Sequence, residues 1–477
     1  MNILFIYKGR YFVRDTNTIE YLSSIAKKFN HNTDLVYDQD IFGITDNVLY
    51  LPLLNKIFFS VKNILQQIIK KNPDFTVFLL NFNNYFWIKN ICEMLKNTDS
   101  KFKVILLSPF DWNYYKDIKY DYLLIGEPEN VFSEFLSGIK NENITTKKLV
   151  NLDNLPLPDK ELFAKYINFS DSYMVYTNKG CIGNCSYCEE TIYKKEFCEY
   201  YRRRKPDNVI KELKLAKEKY RVKEIIFKDS VFTSDTNWLK EFLQKYRKEI
   251  NVPFKCFGRL ENFNEEIAKL LKSSGCYNVE FGIQTWNEKL KKEVLNRAET
   301  NQQARKVFQI CDDVKLRYDI DHMFGIPGES IDDHIFALKE YLKLKYLNRV
   351  KCHNLVYLPK LPIVDYAIKS GYISKKYIKI LETGDEMADF FNTTRESTQI
   401  KYINESFRRF FKIIRLFSPE MINFIIKWKL YYIFKYIPKM LIILGQVLIA
   451  IKNSDLRFKV YFKSYPLKIR KAILVKY

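Results

Sequence analysis

The stretch Asn178–Glu190 reads NKGCIGNCSYCEE and places Cys181, Cys185 and Cys188 in a C-x3-C-x2-C spacing on one loop. The other cysteines, Cys92, Cys198, Cys256, Cys276, Cys311 and Cys352, are scattered without metal-like spacing. A close cysteine cluster in a chain of this kind points to a metal centre before a disulfide. Three thiolates can hold three iron corners of a cubane 4Fe-4S cluster and leave the fourth iron open, which is the corner chemistry needs. Structural zinc is the rival reading. It favours four ligands, yet Cys198 lies ten residues beyond Cys188 and His322 is far along the chain.

The loop follows an apolar strand, Ser172–Asn178, the first of a series. Lys223–Lys228, Pro253–Gly258, Tyr277–Ile283, Tyr318–Ile326 and Arg349–Leu358 have the same character, with helical stretches between them. Six βα repeats joined by right-handed crossovers close, or nearly close, into a barrel whose functional face is the carboxyl end of the strands. Upstream, NLDNLPLPD (Asn151–Asp159) has two prolines and no helical period, and reads as an extended linker. Before it, Ile3–Tyr7, Thr33–Tyr37, Phe75–Phe82, Lys103–Ser108 and Tyr120–Gly126 alternate with helices, which predicts an open five-stranded, doubly wound α/β domain. Ligands of such a sheet bind at the strand ends, here Lys8–Asn17, Asn81–Tyr85, Ser108–Trp112 and Gly126–Asn130. The expected organisation is a doubly wound domain over 1–145, a linker over 146–170, a barrel over 171–380 and a basic helical region over 381–477.

The bulk numbers agree with a folded enzyme. The 477 residues are 47% hydrophobic and 28% charged, enough for more than one core and unlike a disordered chain. Nine cysteines without a secretory signal at the start indicate a reducing, cytoplasmic setting. The net charge of +22 is uneven: from Lys401 to Tyr477 the only acidic residues are Glu405, Glu420 and Asp455. A solvated basic face and, for the apolar C-terminal stretch, a helix docked on the barrel are the plain readings; a helix at an anionic membrane surface is the alternative, with nucleic acid the weaker partner. Within Leu430–Ile451, Lys435, Pro438 and Lys439 leave only Met440–Ile451 uncharged, too short to span a bilayer, which takes about 20 apolar residues.

The motif C-x3-C-x-aromatic-C after a first barrel strand, with Tyr187 at the aromatic position, resembles the signature of the radical S-adenosylmethionine (SAM) superfamily. The resemblance implies that SAM binds the open iron, that the reduced cluster donates an electron to the sulfonium, and that a 5'-deoxyadenosyl radical forms. It also implies SAM contacts along the barrel. Asp229 in IIFKDSVFT (Ile225–Thr233) would meet the SAM ammonium, with loop capping as its other reading. Gln284 and Arg297 in YNVEFGIQTWNEKLKKEVLNR (Tyr277–Arg297) resemble residues of the oxygen-independent coproporphyrinogen dehydrogenases that meet the ribose and the SAM carboxylate. Asp321 in DIDHMFGIPGE (Asp319–Glu329) would be a second ribose partner, whereas His322 alternates to the other face and reads as outward or core-packed.

The domain order further resembles the cobalamin-binding radical SAM proteins, a flavodoxin-like, cobalamin-binding-type domain followed by a partial (β/α)6 barrel and a helical tail. GEPEN (Gly126–Asn130) matches a turn of that family. The D-x-H-x-x-G motif that supplies a cobalt ligand in one class is absent, and His31 is the only histidine of the first domain. Three readings therefore stay open: a cobalamin-dependent methyltransferase, a radical SAM cyclase, rearrangement or oxidation enzyme without cobalamin, and an iron-sulfur protein without turnover. The enzyme readings imply a small-molecule or peptide substrate and an electron donor such as flavodoxin or ferredoxin.

Overall fold

The computed structural model describes residues 1–9, 16–39, 53–54, 57, 60–81, 84–99, 101–111, 114–138, 143–374, 398–456, 466 and 470. The first sheet contains β1 (Asn2–Lys8), β2 (Asn32–Asp38), β3 (Phe75–Leu79), β4 (Lys103–Ser108), β5 (Tyr122–Ile125) and β6 (Asn143–Thr145). Its order is β2-β1-β3-β4-β5-β6, and every pairing is parallel. β1 shows why the strands are apolar on both faces. Ile3 and Phe5 enter one core, while Leu4 and Ile6 enter the other, so helices must cover both sides. The sheet has six strands, not the five expected. Asn143–Thr145 buries only Ile144, too short a run to show a pattern. The strand order reverses between β1 and β3, which sets a ligand crevice at their carboxyl ends. Much of the chain at those ends, 10–15, 82–83 and 112–113, lies outside the described residues.

The linker is a packed seam rather than a free spacer. Asp159 accepts hydrogen bonds from Ser23 Oγ and Lys27 Nζ, both at 2.6 Å. Lys160 Nζ donates to Glu20 Oε2 at 2.6 Å with both side chains buried. Phe163 then meets Tyr7 and Tyr37 edge-on.

The second sheet runs β14-β13-β12-β11-β10-β7, all parallel. Its strands are β7 (Tyr173–Val175), β10 (Ile225–Phe227), β11 (Phe254–Gly258), β12 (Cys276–Gln284), β13 (Tyr318–Phe324) and β14 (Leu347–Asn354). β7 and β14 are its edges, so the barrel is partial. The period of two sorts β12 into two faces. Val279, Phe281 and Ile283 are buried toward the helices, with Phe281 at 5.9 Å from Phe308. Glu280, Gly282 and Gln284 take the other face. Glu280 pairs with Lys255 on β11 and, across the intervening β13, with Lys351 on β14, so the sheet curves around a lumen. Burial would raise the Glu280 carboxyl, but Lys351 and Lys255 outweigh it and hold it well below the ordinary carboxylate range.

A small antiparallel ribbon, β8 (Asn178–Lys179) with β9 (Arg202–Arg203), brackets the cysteine loop. The C-terminal region is helical where it is described. The helix Thr398–Ile413 buries Phe407, Phe410 and Phe411 against the outside of the barrel. His322 lies beneath it, its ring 4.8 Å from that of Phe411. The helix Lys439–Lys452 docks through Gly445 onto Ile413 and Leu416. Among the described residues no single helix is long and apolar enough to cross a membrane, and Leu430–Tyr436 with Lys439–Lys452 passes that test only as a pair bent by 108°.

Candidate cofactor site at the barrel mouth

The cysteine loop leaves β8 and turns back at the helix Glu190–Glu196. Cys181 and Cys185 are buried and Cys188 is half-buried, and none forms a disulfide. The backbone N–H of Gly183 donates to Cys181 Sγ at 3.4 Å, and the N–H of Cys188 donates to the Cys185 carbonyl at 3.1 Å. Burial pushes the Cys188 thiol up to about 12 and also raises Cys181. Metal loading must therefore displace protons from these thiols. Among the described residues, one group of three His, Cys, Asp or Glu ligand atoms lies within 4.8 Å of one another, and it is not the cysteine triad. Three thiolates on one loop match the three protein-held corners of a cubane 4Fe-4S cluster.

Two guanidinium groups converge on the middle cysteine. Arg259 Nη1 donates to Cys185 Sγ at 3.6 Å and Arg297 Nη1 at 3.7 Å. Arg259, which sequence reasoning missed, follows β11 and carries no motif of its own. Gly183 explains how it fits: a Cβ there would fall on the Arg259 guanidinium. The other bonds of Arg297 knit the site together. Nη1 donates to the Tyr187 hydroxyl at 3.2 Å, Nη2 to the Gly282 carbonyl at 2.6 Å and Nε to Glu299 at 2.6 Å. Burial keeps the Tyr187 phenol well above its ordinary range.

Gln284 sits at a register shift between β12 and β13 with φ 63°, a left-handed backbone uncommon outside glycine and often found at functional sites. Its amide folds back so closely over Gly282 that a Cβ there would lie 2.5 Å from Nε2. Asp321 is opposite Gly282 in the strand register, and His353 Nε2 stands 3.4 Å from its carboxylate. The structure thus gathers Cys185, Tyr187, Arg297, Gly282 and Gln284, with Asp321 on the next strand. For Asp229 the structure shows the contacts of the loop-capping reading. Its buried carboxylate accepts from Thr177 N at 2.6 Å, Thr177 Oγ1 at 2.5 Å and Asn178 N at 3.1 Å, the loop-capping role that orients the chain entering the cluster.

The carboxyl ends of the first sheet dock on this site. Glu127 and Glu129, from the GEPEN turn, pair with Lys179 at 3.3 and 2.6 Å, and Glu127 also takes Arg202 Nη2 at 2.5 Å. Phe110, after β4, packs 4.3 Å from Tyr193, and Lys360 Nζ donates to the Asp111 carbonyl at 2.8 Å. At the switch point Lys8 Nζ lies 5.9 Å from the Trp87 ring, whose buried Nε1 has no hydrogen-bond partner among the described residues.

The Glu127 clamp gives a direct prediction. Burial would raise its carboxyl, but Lys179 and Arg202 outweigh that and hold it below the ordinary value. A depressed acid stabilises the fold above its unfolded pKa, about 4.3, and the contribution is lost as pH falls through the folded value. Glu127→Gln should therefore lower stability by about 3 kcal/mol at neutral pH. In thermal melts across the acid range, the gap to wild type should close below the unfolded pKa.

Residues 175–340 match the family model described as the Radical SAM superfamily. They form a radical SAM domain. An uncharacterized methyltransferase of Pyrococcus horikoshii is 26% identical over 198 residues, 41% of this chain and 42% of that protein. A cytidylyl-2-hydroxyethylphosphonate methyltransferase of Streptomyces wedmorensis is 23% identical, covering 38% of this chain and 37% of its own. The chain thus spans less than half the length of these two curated relatives. Among solved structures, the radical SAM methyltransferase TsrM of Kitasatospora setae superposes with a TM-score of 0.59 at 12% identity, over 78% of this chain and 77% of TsrM. At that identity the likeness concerns the fold, a cobalamin-binding-type domain joined to a radical SAM domain. A second TsrM structure carries cobalamin and a 4Fe-4S cluster.

Proposed function

We propose that the chain is a radical SAM enzyme of the cobalamin-dependent methyltransferase type, acting on an organic substrate. The convergence of Cys185, Tyr187, Arg297, Gly282 and Gln284 at the barrel mouth, under the docked strand ends of the first sheet, carries this reading. When bound, a 4Fe-4S cluster supplies the electron that cleaves SAM to a 5'-deoxyadenosyl radical, and cobalamin supplies a methyl carrier. The donor set fits the cluster: three cysteines on one loop, with Arg259 and Arg297 placed to offset the charge at Cys185. Gln284 and Asp321, on adjacent strands, would supply partners for the ribose hydroxyls, while Tyr187 and Arg297 hold the loop against β12 and Asp229 fixes its entry. The indole N–H of Trp87 beside Lys8, without a hydrogen-bond partner among the described residues, fits a polar ligand at the switch point. An external one-electron donor such as flavodoxin or ferredoxin completes the requirement.

Expression with added hydroxocobalamin and anaerobic purification tests the reading. Retained cobalamin, and label passing from methyl-labelled SAM to protein-bound cobalamin, are expected. Cluster-loaded protein that retains no cobalamin would leave the first domain as scaffold and favour cyclisation, rearrangement or oxidation.

The described C-terminal helices support contact with an anionic membrane surface. Phe424, Trp428, Tyr436, Met440, Leu441, Leu444, Leu448 and Ile451 are exposed, each by 50% or more, and Lys427, Lys429, Lys439 and Lys452 are exposed alongside them. Such a surface matches an interfacial anchor, with aromatic and apolar groups at the acyl boundary and lysines at the headgroups. Flotation should show binding to phosphatidylserine-containing vesicles that weakens with salt. Equal binding to neutral vesicles, or binding to neither, would contradict it.

A further inference from the structure

On the outer side of β13, away from the lumen, two histidines and a glutamate converge. His322 lies on β13, Glu329 in the loop after it, and His334 on the helix Ile331–Leu342. Their ligand atoms lie within 4.8 Å of one another, with His334 Nδ1 3.9 Å from Glu329 Oε1. Both imidazoles are 1% exposed. Each ring uses one nitrogen in a hydrogen bond and keeps the other buried. His322 Nδ1 is 2.7 Å from the Tyr341 hydroxyl, and its buried Nε2 has no hydrogen-bond partner among the described residues. His334 Nε2 is 2.9 Å from Asn404 Oδ1, and its buried Nδ1 likewise has none. Glu329 is held in place by Oε2, which accepts from the Gly325 backbone N–H at 2.9 Å.

Two buried imidazole nitrogens left unsatisfied beside a carboxylate are costly unless something occupies the space between them. A bridging hydrogen bond is one solution, but His334 Nδ1 and Glu329 Oε1, at 3.9 Å, stand too far apart for it. Metal ligation is the other. Imidazoles oriented by a hydrogen bond at the remote nitrogen are what metal sites use, since the outer partner fixes the tautomer and leaves the inner lone pair for the ion. Asn404 Oδ1 can only accept, so His334 carries its proton on Nε2 and presents a bare Nδ1.

We propose that His322 Nε2, His334 Nδ1 and a Glu329 carboxylate oxygen bind a zinc ion that joins β13, its following loop and the helix Ile331–Leu342 beneath the helix Thr398–Ile413. Two histidines and one carboxylate are an established zinc donor set. Zn–N and Zn–O lengths of about 2.0–2.2 Å bring such ligands to roughly 3.3 Å apart, a contraction of about an ångström from the spacing seen. Phe324 and Phe411 lie against His322, and Phe407 against His334, shielding the ion from bulk water. The site faces away from Gln284 and Asp321, so its role is to hold the strand that carries the lumen-facing Asp321. Tyr341 and Asn404 act as positioning residues.

Cluster-loaded protein from zinc-supplemented medium tests this by metal analysis and zinc X-ray absorption. The expected result is about one zinc per chain with nitrogen and oxygen ligands only. Zinc should persist when Cys181, Cys185 and Cys188 are all replaced by serine, fall in Glu329→Gln and His334→Gln, and bind about ten- to a hundredfold more weakly in Asn404→Ala. Should His334→Gln fail to fold, Glu329→Gln and the wild-type absorption spectrum still decide. Wild-type protein without zinc, zinc with sulfur ligands, or zinc unchanged in folded Glu329→Gln would overturn the proposal.

Discussion

Cys185→Ala is expected to reduce 5'-deoxyadenosine formation to background and to remove the visible iron-sulfur absorption, while the chain still folds. Cys185 is the middle ligand, and both Arg259 and Arg297 direct N–H groups at its sulfur. Removing it deletes one of three anchors and leaves two cationic groups facing a gap. A cluster held by two thiolates has lost its binding geometry. The stability change should stay within about 0.5–3 kcal/mol, because a small side chain is exchanged for a smaller one. Cys198→Ser is the matched control, since that cysteine is exposed and outside the loop spacing, and it should keep full iron and full turnover. Iron per chain and anaerobic product analysis on the same preparations decide the matter.

Arg297→Gln is expected to destabilise the fold by about 3–5 kcal/mol and to make the cluster harder to reduce. The loss of stability follows from Glu299, whose side chain is fully buried and paired to Arg297 Nε at 2.6 Å. Removing the cation leaves that carboxylate buried without its partner. The redox effect follows from the guanidinium at 3.7 Å from Cys185 Sγ. A positive donor near the sulfur favours the reduced, more negative cluster, so its loss should lower the potential. A shift of about 60 mV is a tenfold change for a one-electron couple and is a reasonable scale for one such donor. Arg259→Gln should give the same redox shift with a smaller stability loss, because Glu261 is partly exposed. Chemical denaturation and potentiometric titration separate the two effects. Arg297→Lys keeps the charge but cannot reproduce the fork to Glu299, Tyr187 and Gly282, so it should rescue the potential better than the stability.

What could be read from the sequence was whatever chemistry is local. The C-x3-C-x2-C spacing is a property of one loop, and each barrel strand announces itself through its own apolar run. The polar residues of the lumen are likewise on expected strands, with Gln284 at the end of β12 and Asp321 on β13. The short β6 was missed because three residues carry no pattern. Arg259 was missed because its importance arises only when β11 is folded beside a loop 74 residues earlier. The same holds for Glu127 with Arg202, 75 residues apart. Loop capping was one of the two readings of Asp229, but its partners Thr177 and Asn178, 52 and 51 residues earlier, emerge only from the fold. His322 was read as outward or core-packed from strand alternation. Its meeting with Glu329 and His334 depends on the turn through Gly325 and on a helix from the C-terminal region closing over them.

Under Arg259 and Arg297, the triad loop is built to hold the cluster that cleaves SAM reductively. Anaerobically reconstituted protein, given SAM and a strong one-electron reductant, measures this directly. Appearance of 5'-deoxyadenosine that depends on both the reductant and Cys185 is the result expected. Protein carrying a full complement of iron and sulfide that forms none would contradict the account and leave the chain an iron-sulfur protein without turnover.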